Sequence, residues 1–142
     1  MEGRERTDYE DATVTGRLIA YAWASPNSLI GLGLGVFMSL SGASVRAVLG
    51  VLEFSGGWIG TRLCHPASRF PFRAVTFGHV ILGTDAAALD AARDHEHVHV
   101  RQYEAWGPFF LPAYLASSAW QLVCGRRCYR DNWFERQAYG GR

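Results

Sequence analysis

The segment RDHEHVHVRQYE, residues 93–104, holds three of the chain's five histidines at alternate positions, with a glutamate between the first two. On a strand, His95, His97 and His99 would share one face. On a helix, His95 and His99 lie four residues apart on one face while His97 turns away. The helical reading is the HExxH arrangement, in which two imidazoles meet one metal ion and Glu96 stands one step round as a general base. The residues before it favour the helix. TDAAALDAARD (84–94) is dense in alanine and free of glycine and proline, and Thr84 or Asp85 is placed to cap its first turn. Gly107-Pro108 marks its end, so one helix is expected over about 85–105.

A metal held by two histidines needs a third protein ligand if one position is to stay open for water. His97 is off the face, and Glu104, nine residues from His95, also points away. Glu135, in YRDNWFERQAY, is the remaining candidate. If the chain turns at Gly107-Pro108, runs back over 109–123 and reverses again at CGRRCYRD, a third helix starting near Asn132 brings Glu135 level with His95 and His99. A plainer reading of the same residues is a capping-box variant, Asn132-x-x-Glu135, that only stabilises a helix start.

The elements that must position these groups are fewer and shorter. The chain has 142 residues, enough for a single domain over 1–142, with 49% hydrophobic residues and a net charge of +1. That balance argues against a nucleic-acid partner. All fourteen basic residues are arginine, and the three cysteines, Cys64, Cys124 and Cys128, are too few for a disulfide framework. Residues 1–16 are expected as a charged, frayed tail. An apolar helical region follows at 18–45, broken at Pro26-Asn27, whose second part is near the lower limit for a span. Two readings stand open there: a membrane-embedded or membrane-apposed helix, or the buried helix of an ordinary domain. No cleavable signal peptide is recognised, which leaves a membrane-associated or a cytoplasmic location. The apolar run after Pro112 is too short to span alone. SVRAVLGVLEFSGG and FRAVTFGHVILGTD read as strands, with CHPASRFPF as a loop between them. The fold class is therefore α+β: a small antiparallel sheet over about 45–83, then metal-site helices over 85–139.

HEHVHVRQ followed by NWFERQAY resembles the zincin metallopeptidases of the gluzincin type. The resemblance covers about residues 75–139. It implies Zn²⁺ held by His95, His99 and Glu135, with Glu96 as the general base. It also implies a peptide or protein substrate laid along the strand before the helix, here Ala74 to Leu82. The acidic residue usual after the third ligand is absent, and Ala138-Tyr139 stand in its place. On this reading the metal lowers the pKa of a bound water toward about 7, and Glu96 takes its proton and passes it to the leaving amine. Gln102, seven residues from His95 on the same face, is placed to orient a ligand or water. His79, Tyr139, Tyr103 and Arg136 are candidates for the oxyanion donor, His79 being more often an ordinary strand histidine. Two alternatives are a non-catalytic metal-binding domain with a closed ligand set, and a small membrane-associated interaction protein in which the histidines are incidental.

Overall fold

The computed structural model describes residues 2–64 and 73–140, with the side chains of 13–62 and 73–140. Helix α1 (Glu2–Leu40) is followed by strands β1 (Ala43–Val48) and β2 (Val51–Gly56), helix α2 (Gly57–Cys64), strands β3 (Ala74–Phe77) and β4 (Val80–Gly83), and helix α3 (Ala86–Trp106). A single 3₁₀ turn (Gly107–Phe109) leads into α4 (Phe110–Val123), and α5 (Trp133–Gly140) closes the described chain.

The four strands run in the order β1-β2-β4-β3. The sheet is mixed, where an antiparallel one was expected: both hairpins are antiparallel, but β2 and β4 pair in parallel, Leu52 beside Val80 and Ser55 beside Gly83. The second hairpin docks through its second strand. The apolar run Val80-Ile81-Leu82 is buried throughout, as befits a strand covered on both faces. Val80 and Leu82 pack with Phe54 and Met38 of α1, whereas Ile81 packs with Leu89 and Val100 of α3. The result is three layers, with α1 and α3 on opposite faces of the sheet. SVRAVLGVLEF is two strands, not one: Leu49 and Gly50, at φ of 50° and 81°, form a tight turn between Val48 and Val51. The strand expected over 74–82 likewise folds back at Gly78-His79. Helix α2 fills part of the region expected to be strand and loop, and the loop's residues 65–72 lie outside the described residues.

Helix α1 departs most from expectation. It begins at Glu2, inside the stretch expected to fray, and runs through Pro26 to Leu40, so residues 43–45 are strand and not helix. Proline at 26 removes the hydrogen bond to the Ala22 carbonyl, and the Ser25 hydroxyl donates to that carbonyl instead at 2.7 Å. Gly31 and Gly35 face the sheet. A Cβ at Gly31 would stand 2.8 Å from the Cβ atoms of Phe77 and Val80, and one at Gly35 would meet the Phe54 ring. These two glycines let the helix approach the strands. Among the described residues no helix is long and apolar enough to cross a membrane, so a spanning helix at 28–45 is not supported.

Candidate metal centre

Helix α3 starts where its sequence places a cap: Asp85 accepts a hydrogen bond from the Ala88 amide at 2.7 Å, and Gly107 at φ 56° ends the helix. Its buried side chains form two adjacent stripes. One carries Ala88, His95, His99 and Gln102; the other carries Leu89, Glu96, Val100 and Tyr103. The second stripe lies on the sheet, so Glu96 meets β3, where the Thr76 hydroxyl donates to its carboxylate at 2.7 Å. Further along, Arg93 clamps the buried Glu53 of β2 with two bonds of 2.8 and 2.9 Å. This pins the helix against the strands about half a turn before His95.

Helix α5 supplies the third group. Asn132, fully buried, accepts from the Phe134 amide at 2.9 Å and donates to the Tyr114 carbonyl and the Ser118 hydroxyl of α4. Its own amide donates to the Tyr129 carbonyl. A reciprocal Glu135 cap would require that amide, so Glu135 is not a capping-box residue. Its carboxylate turns inward instead. Oε2 lies 3.1 Å from His95 Nε2 and Oε1 lies 3.3 Å from His99 Nε2, while the two Nε2 atoms are 3.2 Å apart. Among the described residues this is the one group of His, Cys, Asp and Glu side chains placed to share a metal ion, and all three are buried.

The surroundings sharpen the chemistry. Gln102 Oε1 lies 2.8 Å from His99 Nδ1. Gln102 Nε2 donates to the Phe134 carbonyl and to Gln137 Oε1, both at 3.1 Å, which orients the amide so that its oxygen faces the histidine. His99 Nδ1 therefore carries a proton, and a neutral His99 directs its Nε2 lone pair at a carboxylate. Opposed lone pairs in a buried site need a cation between them, either a proton or a metal. Burial resists charging His99, but the adjacent Glu135 outweighs it and raises its pKa above the usual histidine value. Burial likewise works to raise Glu135, yet hydrogen bonding to His95, His99 and Tyr114 holds it down to about 2. Glu96 moves the other way, its pKa raised by burial despite the Thr76 hydrogen bond.

A cavity of about 140 Å³ adjoins the cluster, lined by Glu96, His99, Glu135, strand β3 and the side chains of Phe77, Tyr103, Phe110, Leu111 and Tyr114. Most of that wall is apolar. β3 is an edge strand of the sheet, unpaired on its outer side among the described residues, and its Thr76 side chain reaches Glu96.

The other sequence candidates are placed as follows. His97 does not join the cluster. His79 lies outside the cavity, its ring stacked on Tyr21 at 3.9 Å and its Nε2 3.0 Å from Glu104. Tyr139 covers His95, with ring centroids 4.6 Å apart, and is half exposed. Tyr103 is core, packed on Phe110, and Arg136 is exposed. Cys124 and Cys128 are free and exposed, and the side chain of Cys64 lies outside the described residues. Two groups went unnoticed in the sequence. Tyr114 donates to Glu135 Oε1 at 2.6 Å and lines the cavity, its pKa raised by burial and by that bond. Thr76 holds Glu96. Tyr114 had a signal: with Ser117 and Ser118 it is a polar patch on an apolar helix, and all three face α5.

The chain matches no protein-family model, and neither its sequence nor its fold finds a match among curated proteins or solved structures.

Proposed function

We propose that the chain is a zinc-dependent hydrolase acting on peptides, with His95, His99 and Glu135 as metal ligands and Glu96 as general base. The observation that carries this reading is the convergence of two Nε2 atoms and one carboxylate within 3.1–3.3 Å of one another. Two imidazoles and a carboxylate suit zinc, and also iron, cobalt or nickel. Three protein ligands with no fourth among the described residues favour an open site over a closed structural one. Bound there, the metal would supply Lewis acidity and a water made acidic enough to lose its proton near neutral pH.

The chain's own groups account for the rest. Glu96, with Thr76 holding one oxygen, has a pKa raised by burial, which suits a group that must both take a proton and give it up. Tyr114 stays protonated, and its single hydroxyl proton goes to Glu135, which holds that carboxylate in place at the cavity wall. The outer edge of β3, unpaired among the described residues, suits an extended peptide paired along Ala74–Phe77. The apolar cavity walled by Phe77, Phe110 and Leu111 suits a bulky apolar side chain. The test is cleavage of a peptide library by the zinc-loaded protein and by Glu96→Gln. Cleavage beside large apolar residues, reduced at least a hundredfold in Glu96→Gln with zinc retained, is the expected result. A zinc-loaded wild type that cleaves no member of the library overturns the peptidase assignment.

A further inference from the structure

From Leu18 to Leu40, α1 carries no charged residue, and its outward side is apolar along its whole length. Leu18, Ile19, Leu29, Ile30, Phe37 and Leu40 are 50–82% exposed. Across those 23 residues the helix is roughly 34 Å long at 1.5 Å per residue. Large apolar side chains on this face leave on the order of 1,000 Å² in contact with solvent, against roughly 300–600 Å² for the largest apolar patch of a typical monomer.

The surface does not end with α1. Asn27 donates to the Gly107 carbonyl at 3.0 Å, and the Trp23 ring lies 6.1 Å from that of Phe109. From Phe109 the exposed stripe continues at helical spacing along α4 through Pro112, Ala116, Trp120 and Val123. Two of the chain's five tryptophans, Trp23 and Trp120, stand on this surface at 43% and 64% exposure, although tryptophan is usually well covered. Where α4 ends, the surface turns basic: Arg126, Arg127 and Arg130 are exposed, and the one acidic residue between Glu104 and Glu135 is Asp131, paired with Arg127.

Apolar side chains, exposed tryptophans and a basic rim are the components of a surface that sits at the headgroup boundary of a bilayer. The charge points to the occupant. The exposed guanidiniums of Arg126, Arg127 and Arg130 border the apolar face, and anionic headgroups supply the opposite charge. Since no described helix can cross a membrane, α1 must lie in the plane, with its other face held by the sheet. We infer that the α1–α4 face seats the protein on an anionic lipid surface. This inference stands apart from the metal site. It has one consequence for that site: Leu115, 59% exposed on this surface, also lines the cavity, so the cavity opens next to the lipid.

Flotation of the full chain with vesicles tests this, using phosphatidylcholine alone and phosphatidylcholine mixed with phosphatidylglycerol. The expected result is binding to the anionic vesicles, weakened by salt and by replacing Arg126, Arg127 and Arg130 with glutamine. Each replacement should lower affinity about fivefold and all three together on the order of a hundredfold. Phe37→Glu, at an outward position, should abolish flotation while the circular dichroism spectrum stays unchanged. Failure to float with either vesicle overturns the inference, as does equal, salt-independent binding to both. A stable dimer that Phe37→Glu dissociates, with no vesicle binding, would assign the face to a second copy instead.

Discussion

Replacing Gln102 with leucine removes three hydrogen bonds of a side chain that is only 7% exposed. Gln137 is exposed and finds water. The His99 Nδ1–H is the buried group left without a partner, since the Phe134 carbonyl keeps its bond within helix α5. Such a group costs about 1–3 kcal/mol, so the metal-free protein should lose about that much. The same change frees the His99 ring, and loss of a partner that orients a metal-bound histidine weakens affinity by about 10–100-fold. Gln102→Glu separates the two effects. It keeps an acceptor on His99 Nδ1 but loses both donors, so stability should fall while zinc affinity stays near that of the wild type. Urea denaturation of the metal-free proteins and chelator competition for zinc read the two quantities independently. Zinc affinity unchanged in Gln102→Leu would refute the argument that this amide sets the histidine's coordinating nitrogen. An equal fall in both variants would reduce Gln102 to a tie between helices.

The metal-free protein should show a stability maximum near about pH 4.5, where the contribution of Glu135 is complete and those of Glu96 and His99 are not yet lost. Glu135, depressed to about 2, stabilises the fold above the unfolded carboxylate value, and that contribution is lost as pH falls toward 2. His99 and Glu96 are both raised, so their contributions are full below their unfolded values and are lost as pH rises through their folded ones. Denaturation midpoints across pH in the presence of a chelator check this, and saturating zinc should remove the His99 part of the alkaline decline because the metal replaces the proton there. Arg93→Met should destabilise the fold by about 3–5 kcal/mol in urea, because Glu53, 1% exposed, keeps only Arg46 at 3.7 Å. Adding Glu53→Gln to that variant should restore most of the loss.

The helix that carries the histidines was readable because its signals are local. Asp85 as cap, the alanine-rich turns and Gly107 as stop all act within a few residues, and the structure sets the helix at Ala86–Trp106 against an expected 85–105. The approach of Glu135 to the histidines followed from short connections between antiparallel neighbours. What escaped the sequence depends on partners far along the chain. Pro26 and the glycines of α1 look like helix breakers until Ser25 satisfies the freed carbonyl and the sheet fills the space beside Gly31 and Gly35. The parallel pairing of β2 with β4 depends on which strand of the second hairpin docks inward, and alternation within a strand carries no information about that. Tyr114 and Thr76 each act through one bond to a residue about 20 positions away, and such pairings leave no spacing to read.

Zinc content of the purified, loaded protein, measured beside His99→Ala, Glu135→Ala and Glu96→Gln, tests the central claim most directly. One zinc per chain in the wild type and in Glu96→Gln, lost from the other two, is the predicted result. A wild type that binds no metal, or a zinc retained in full by His99→Ala and Glu135→Ala, would contradict it.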